Sequence, residues 1–192
     1  PAVHGRSHGR FGDSAGQDGQ RTLAKLGRRK VYSTFYGYMN LKANSAAHFG
    51  VGHNAQQRVL SSPDVDMICA PISYAARQPG GFSTAQVLPG SIGLHGKLYY
   101  GEDDTGTHLA SAHHGYVAND ADGAVNNLRR NFLDIWRSGG SLWWMDLRGQ
   151  GWFYDDALLA EITRLRQFAD ETLARRASTA AIAVFASDRS EH

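Results

Sequence analysis

Between residues 30 and 186, short apolar runs of strand type alternate with longer runs of helical period, and this alternation limits the folds open to the chain. Lys30–Tyr38 (KVYSTFYGY) carries the β-branched and aromatic residues of a strand, and Asn54–Ser61 fits a short helix. Asp64–Ala70 (DVDMICA) reads as a second strand, stopped by Pro71, and Gln78-Pro79-Gly80-Gly81 marks a turn in the loop that follows. His95–Tyr100 reads as a third strand. Across Asp120–Arg137, Val125, Leu128, Phe132, Ile135 and Trp136 recur at spacings that share one helical face, and Gly139-Gly140 supplies the C-terminal stop.

Ser141–Leu147 (SLWWMDL) is a fourth strand. Asp155–Ala177 is the clearest helix, with Leu158, Leu159, Ile162, Leu165, Phe168, Ala169 and Leu173 as its stripe and Asp155 and Asp156 at its positive end. Ala180–Ala186 (AAIAVFA) reads as a buried parallel strand. Strands interleaved with helices predict an α/β fold with a parallel sheet. Two architectures compete, a doubly wound sheet and part of a barrel. No G-x-G-x-x-G and no P-loop occurs, which weakens the first.

Composition narrows the function. The chain of 192 residues has a net charge of +2, too near neutral to argue for nucleic acid by itself. Arg6, Arg10, Arg21, Lys25, Arg28, Arg29 and Lys30 crowd the first thirty residues, either as an RNA-binding tail or, in the plainer reading, as a solvated leader. Cys69, the single cysteine, lies in an apolar run and reads as a small core residue. No run of about 18 apolar residues predicts a membrane span. No apolar leader of signal-peptide type is visible, so the expected location is cytoplasmic. Neither a cofactor nor a metal is called for. His48, His53, His108, His113 and His114 do not match a metal-binding spacing and read as loop histidines.

Polar and aromatic side chains gather where the strands end, as a barrel active site requires. Glu102, Asp103, Asp104 and Asp146 supply carboxyl groups there, and Tyr36, Tyr38, Tyr74, Trp143, Trp144 and Trp152 supply flat faces. Glycosidic cleavage uses two carboxyl groups around an oxocarbenium-like transition state, and sugar rings stack on aromatic faces. The competing reading makes Glu102-Asp103-Asp104 a solvated acidic loop.

The segments Ser62–Asp66, Ala70–Tyr74 with Arg77 and Pro79-Gly80-Gly81, and His95–Leu98 with Glu102–Thr105 resemble bacterial β-galactosidase-like proteins near glycoside hydrolase family 42. The WWMDL run and Gly151-Trp152-Phe153 agree with that resemblance. It implies a partial (β/α)8 TIM barrel, about strands five to eight, over residues 30–178, after an irregular basic leader at 1–29. Residues 179–192 would then begin a flavodoxin-like trimerisation domain, and the full-length protein would be a homotrimer.

The resemblance also implies a retaining hydrolase of β-linked sugars with Glu102 as nucleophile. Tyr36, Tyr38, Tyr74, Arg77, His95, Asp104, Trp144 and Asp146 would shape the sugar subsite. Gly106 stands where the related pattern has Arg, and no Asn-Glu pair for the acid/base precedes Lys30. The chain is therefore expected to be a fragment or a degenerate copy, with little turnover by itself. The alternative is a carbohydrate-binding or assembly module without catalysis.

Overall fold

A computed structural model describes residues 17–18, 20–22, 24–25, 27, 31–38, 53, 55–111, 117–177 and 180–185. Among them four strands form one parallel sheet in the order β1-β2-β3-β4: β1 Ser33–Phe35, β2 Met67–Pro71, β3 Leu98–Asp103 and β4 Ser141–Trp144. The helices between and after them are α1 Gln56–Leu60, α2 Pro89–Leu94, α3 Ala121–Arg137 and α4 Asp156–Thr172. A parallel α/β sheet is what the alternation of patterns predicts. The described residues divide into two compact units, one drawn from Pro1–Ala70, Gln86–Tyr100 and Thr179–His192, the other from Pro71–Ala85 and Gly101–Ser178.

In the first unit β1 pairs with β2 in the register Ser33↔Met67, Thr34↔Ile68 and Phe35↔Cys69. The Leu98 N–H donates to the Asp66 carbonyl at 3.1 Å and brings in the start of β3. Burial on both faces suits β2, and Ile68, Cys69 and Ala70 are all buried, so Cys69 is the core residue its setting suggests. Pro71 is the last residue of β2. Helix α2 (PGSIGL) has no apolar period and Pro89 at its start; only Ile92 of the helix is buried. Gly37 turns the chain after β1 with φ +85°, and a Cβ there would stand 3.1 Å from Gln56 Nε2.

In the second unit α3 and α4 pack together and α3 also lies against β4. Their shared core is Ala118, Ala124, Leu128, Phe132, Leu158 and Leu165, with Val125, Trp136, Leu142, Trp144, Phe153, Ile162 and Ala169 packed on it. Fully burying one leucine of this kind stabilises by about 1.5–3 kcal/mol. The Asp120 side chain caps α3 by accepting from the Gly123 N–H at 2.7 Å, and the Asp155 side chain caps α4 by accepting from the Ala157 and Leu158 N–H groups. Gly139 (φ +84°) lets the Gly140 N–H reach back to the Ile135 carbonyl and close α3. Glu161 of α4 accepts forked hydrogen bonds from Arg129 of α3 and Arg164 of its own helix.

Two parts of the pattern reading are corrected. Leu159 and Leu173, assigned to the α4 stripe, are exposed at 49% and 57%, because α3 covers only the side of α4 that carries Leu158 and Leu165. Residues 180–185, expected within a buried strand, have no strand pairing, and Ile182, Val184 and Phe185 are exposed. An apolar run becomes a strand only when a neighbouring strand takes up its backbone groups. His48, His113, His114, Arg6, Arg10, Arg28, Arg29 and Lys30 lie outside the described residues. Among the described residues no helix is long and apolar enough to cross a membrane.

Candidate functional site

Strand β3 and the loop after β2 build the most concentrated polar site of the second unit. The third strand starts later than its sequence pattern suggests and runs through Asp103, so Glu102 belongs to the strand and not to a solvated loop. Side chains alternate along a strand, so Glu102 and its second neighbour Asp104 leave one face while Asp103 leaves the other. The Ile72 N–H donates to the Glu102 carbonyl at 3.0 Å, and the Met145 N–H donates to the Asp103 carbonyl at 2.9 Å. These bonds tie both flanks of β3 at the point where the carboxyl groups emerge.

The loop 72–85 brings the partners. Ser73 N–H donates to the Thr84 carbonyl, and Ile72 and Ala85 form an antiparallel bridge, so the loop closes on itself. Arg77 is 3% exposed, and its guanidinium forms an ion pair with Asp104. It also donates from Nε to the Ser73 carbonyl at 3.0 Å and from NH2 to the Ile72 carbonyl at 2.6 Å. The same guanidinium lies 3.9 Å from the centre of the Tyr74 ring. The Tyr74 hydroxyl donates to Asp104 Oδ2 at 3.2 Å.

The charges follow from this geometry. Burial, then the neighbouring Asp104, pushes the Tyr74 hydroxyl up to about 12. Burial, again followed by Asp104, holds the Glu102 carboxyl above the usual glutamate range, with Arg77 opposing. Glu102 is 9% exposed. Tyr74, Arg77, Glu102 and Asp104 therefore form one electrostatically coupled group, and four of the expected site residues come together.

The other expected residues do different work. Trp144 stacks with Phe132 at 6.3 Å between ring centroids, in the core under α3, and is a packing residue rather than a subsite wall. Asp146 clasps the turn after β4: its Oδ2 accepts from the Gly151 and Trp152 N–H groups at 2.7 and 3.0 Å, and its Oδ1 from Arg148 N–H. Burial raises its pKa, but these backbone donors together outweigh burial and lower it. His95 ends α2 in the first unit, and its Nδ1 is 2.8 Å from the Ser91 carbonyl.

Tyr36 and Tyr38 lie in the first unit, where the Tyr36 hydroxyl accepts from the Ala55 N–H and Tyr38 stacks on His53 at 4.4 Å. His108 pairs with Asp155 at 3.4 Å. Among the described residues no cluster of His, Cys, Asp and Glu could hold a metal ion. The sequence reading overlooked Asn131, which is 1% exposed and donates to both Asp103 carboxylate oxygens. An Asn on the apolar face of a helix, opposite a strand-end carboxylate, is the pattern that could have pointed to it. No family model, curated protein or solved structure matches the chain.

Proposed function

We propose that the chain carries part of the active site of a retaining glycoside hydrolase for β-linked sugars, within the C-terminal half of a (β/α)8 barrel, with Glu102 as nucleophile. The supporting observation is the largely buried Glu102 coupled to Asp104, Arg77 and Tyr74 at the end of a parallel strand. In this reading the Glu102 carboxylate attacks the anomeric carbon as the bond to the leaving oxygen breaks, giving a glycosyl ester. Water then attacks the same carbon, its proton passes to a base, and the carboxylate is regenerated. Arg77 favours the ionised form of Glu102, while Tyr74 offers a partly open ring to a sugar face. The full-length protein would be cytoplasmic and trimeric.

The test uses a 2-deoxy-2-fluoro-β-galactoside with a dinitrophenyl leaving group, which departs without help from an acid. A single glycosyl adduct on the peptide containing Glu102, lost in Glu102→Gln, is the expected result. No adduct, or one on another residue, refutes the assignment. Labelling slows as pH falls, with its midpoint above the ordinary glutamate value, because burial and Asp104 keep Glu102 protonated to higher pH.

A second reading, a carbohydrate-binding or assembly module without catalysis, draws on one observation. Of the strand-end carboxyl groups, Asp103 is held by Asn131 and Asp146 by the turn it clasps, so neither is poised for proton transfer. Galactoside binding by calorimetry that is indifferent to Glu102→Gln and gives no product would favour it.

A further inference from the structure

The dipeptide Arg130-Asn131 of α3 has a use that neither the helix nor its packing requires. Arg130 NH1 donates to the Gln78 and Gly81 carbonyls at 2.9 and 3.0 Å, and NH2 donates to the Arg77 carbonyl at 3.1 Å. These contacts staple the turn that follows Arg77. The turn itself is tight: Gly80 has φ +75°, and a Cβ at Gly81 would fall 2.5 Å from the Ala76 carbonyl oxygen. The remaining Arg130 bond runs from Nε to Asn131 Oδ1 at 3.0 Å.

Asn131 continues the chain. Its Nδ2 reaches Asp103 Oδ1 and Oδ2 at 3.1 and 3.0 Å and Thr105 Oγ1 at 3.2 Å. The Thr105 N–H also donates to Asp103 Oδ1 at 3.1 Å. Asn131 thus grips positions 103 and 105, on the α3 side of β3, while 102 and 104 leave the other side. One helix fixes both halves of the site: the loop that delivers Arg77, and the strand end that delivers Glu102 and Asp104.

We infer that Arg130 and Asn131 are positioning residues of this site, acting through the 77–81 turn and through Asp103 to hold Arg77, Asp104 and Glu102 in one arrangement. The inference rests on the assignment of Glu102 as the reacting carboxyl. Its energetic basis is that a polar group with no exposure to water keeps one geometry only if every partner is in place. Asp103 is such a group. Burial raises its pKa, while Thr105 and Asn131 oppose that rise by hydrogen bonding to the ionised form.

The experiment reads Glu102 directly, by 13C NMR titration of its side-chain carboxyl, assigned by its loss in Glu102→Gln. Three variants of the chain are compared with the parent: Arg130→Met, Asn131→Ala, and the exchange Asp103→Asn with Asn131→Asp. In the exchange, the carboxylate now at position 131 accepts from the amide now at position 103, from Thr105 and from Arg130. The same connections are then made, with donor and acceptor reversed between positions 103 and 131 and between 131 and Thr105 Oγ1, while Arg130 Nε and the Thr105 N–H donate as before. The expected result is a Glu102 midpoint that falls toward the ordinary glutamate value in Arg130→Met and Asn131→Ala and returns to the parent value in the exchange. Labelling by the fluorinated galactoside should slow by about a hundredfold in the first two, the cost of a displacement of about an ångström at a reacting group.

A Glu102 midpoint unchanged in folded Arg130→Met overturns the inference, as does an exchange variant that folds but fails to regain the parent midpoint. If Asn131→Ala does not fold, Arg130→Met and the exchange decide between the same two outcomes. The titration needs no sugar, so the absence of a covalent adduct in the parent counts against the hydrolase reading alone, and the midpoints still judge the positioning role.

Discussion

Replacing Arg77 by Met tests the electrostatic core of the site. The change leaves Asp104, whose side chain is 2% exposed, without its cation, and removes the donors to the Ile72 and Ser73 carbonyls. Breaking one partner of a buried pair costs about 3–5 kcal/mol, a large part of the roughly 5–15 kcal/mol that holds a domain folded. Asp104→Leu alone should cost a similar amount, since it strands the guanidinium. The double variant Arg77→Met/Asp104→Leu carries neither charge of the pair. It should lie within about 2 kcal/mol of the parent, the remaining loss being two carbonyls deprived of a charged donor and the Tyr74 hydroxyl deprived of its acceptor.

Urea denaturation followed by tryptophan fluorescence provides the assay. With a slope of about 2 kcal/mol per molar, each single change lowers the midpoint by roughly 2 M and the double change by about 1 M. Single variants that lose less than about 1 kcal/mol would refute the argument. So would a double variant as unstable as the two losses summed, because partners in contact must show a coupling energy.

Two further outcomes follow from other parts of the second unit. Hydrogen bonds from Arg129 and Arg164 lower the Glu161 pKa from 4.5 to about 2, so its stabilisation is complete above the unfolded value and is lost as pH falls through that range. Both arginines are about half exposed, so solvent screening reduces the effect to about 1–2 kcal/mol; urea midpoints of parent and Glu161→Gln should converge between about pH 5 and pH 2. Gly81→Ala forces the turn open, since its Cβ would meet the Ala76 and Gln78 carbonyl oxygens at 2.5 and 2.9 Å, and should cost about 1–3 kcal/mol by thermal or urea unfolding.

Much of the second unit was legible in the sequence. The α3 and α4 patterns have the spacing, the capping Asp residues and the terminal Gly139 that they need, and each signal is local. The coupling of Glu102, Arg77, Asp104 and Tyr74 was approached only through strand ends and resemblance, because the contact between Arg77 and Asp104 depends on where a loop returns. Helix α2 left no trace, since PGSIGL buries one side chain and shows no period. Trp144 and Asp146 were misread for one reason: a position near a strand end does not say which face the side chain leaves by. Trp144 leaves toward α3, and Asp146 turns back on its own loop. Asn131 was overlooked because a single amide in an apolar stripe looks like noise until its partner across the core is known.

The alternation of Glu102, Asp103 and Asp104 limits how the gene can change. Loss or gain of one codon early in β3 would rotate the acidic run by half a turn, driving two carboxylates into the α3 packing and leaving one outside. The count of residues in β3 is therefore the feature of this region that tolerates no change.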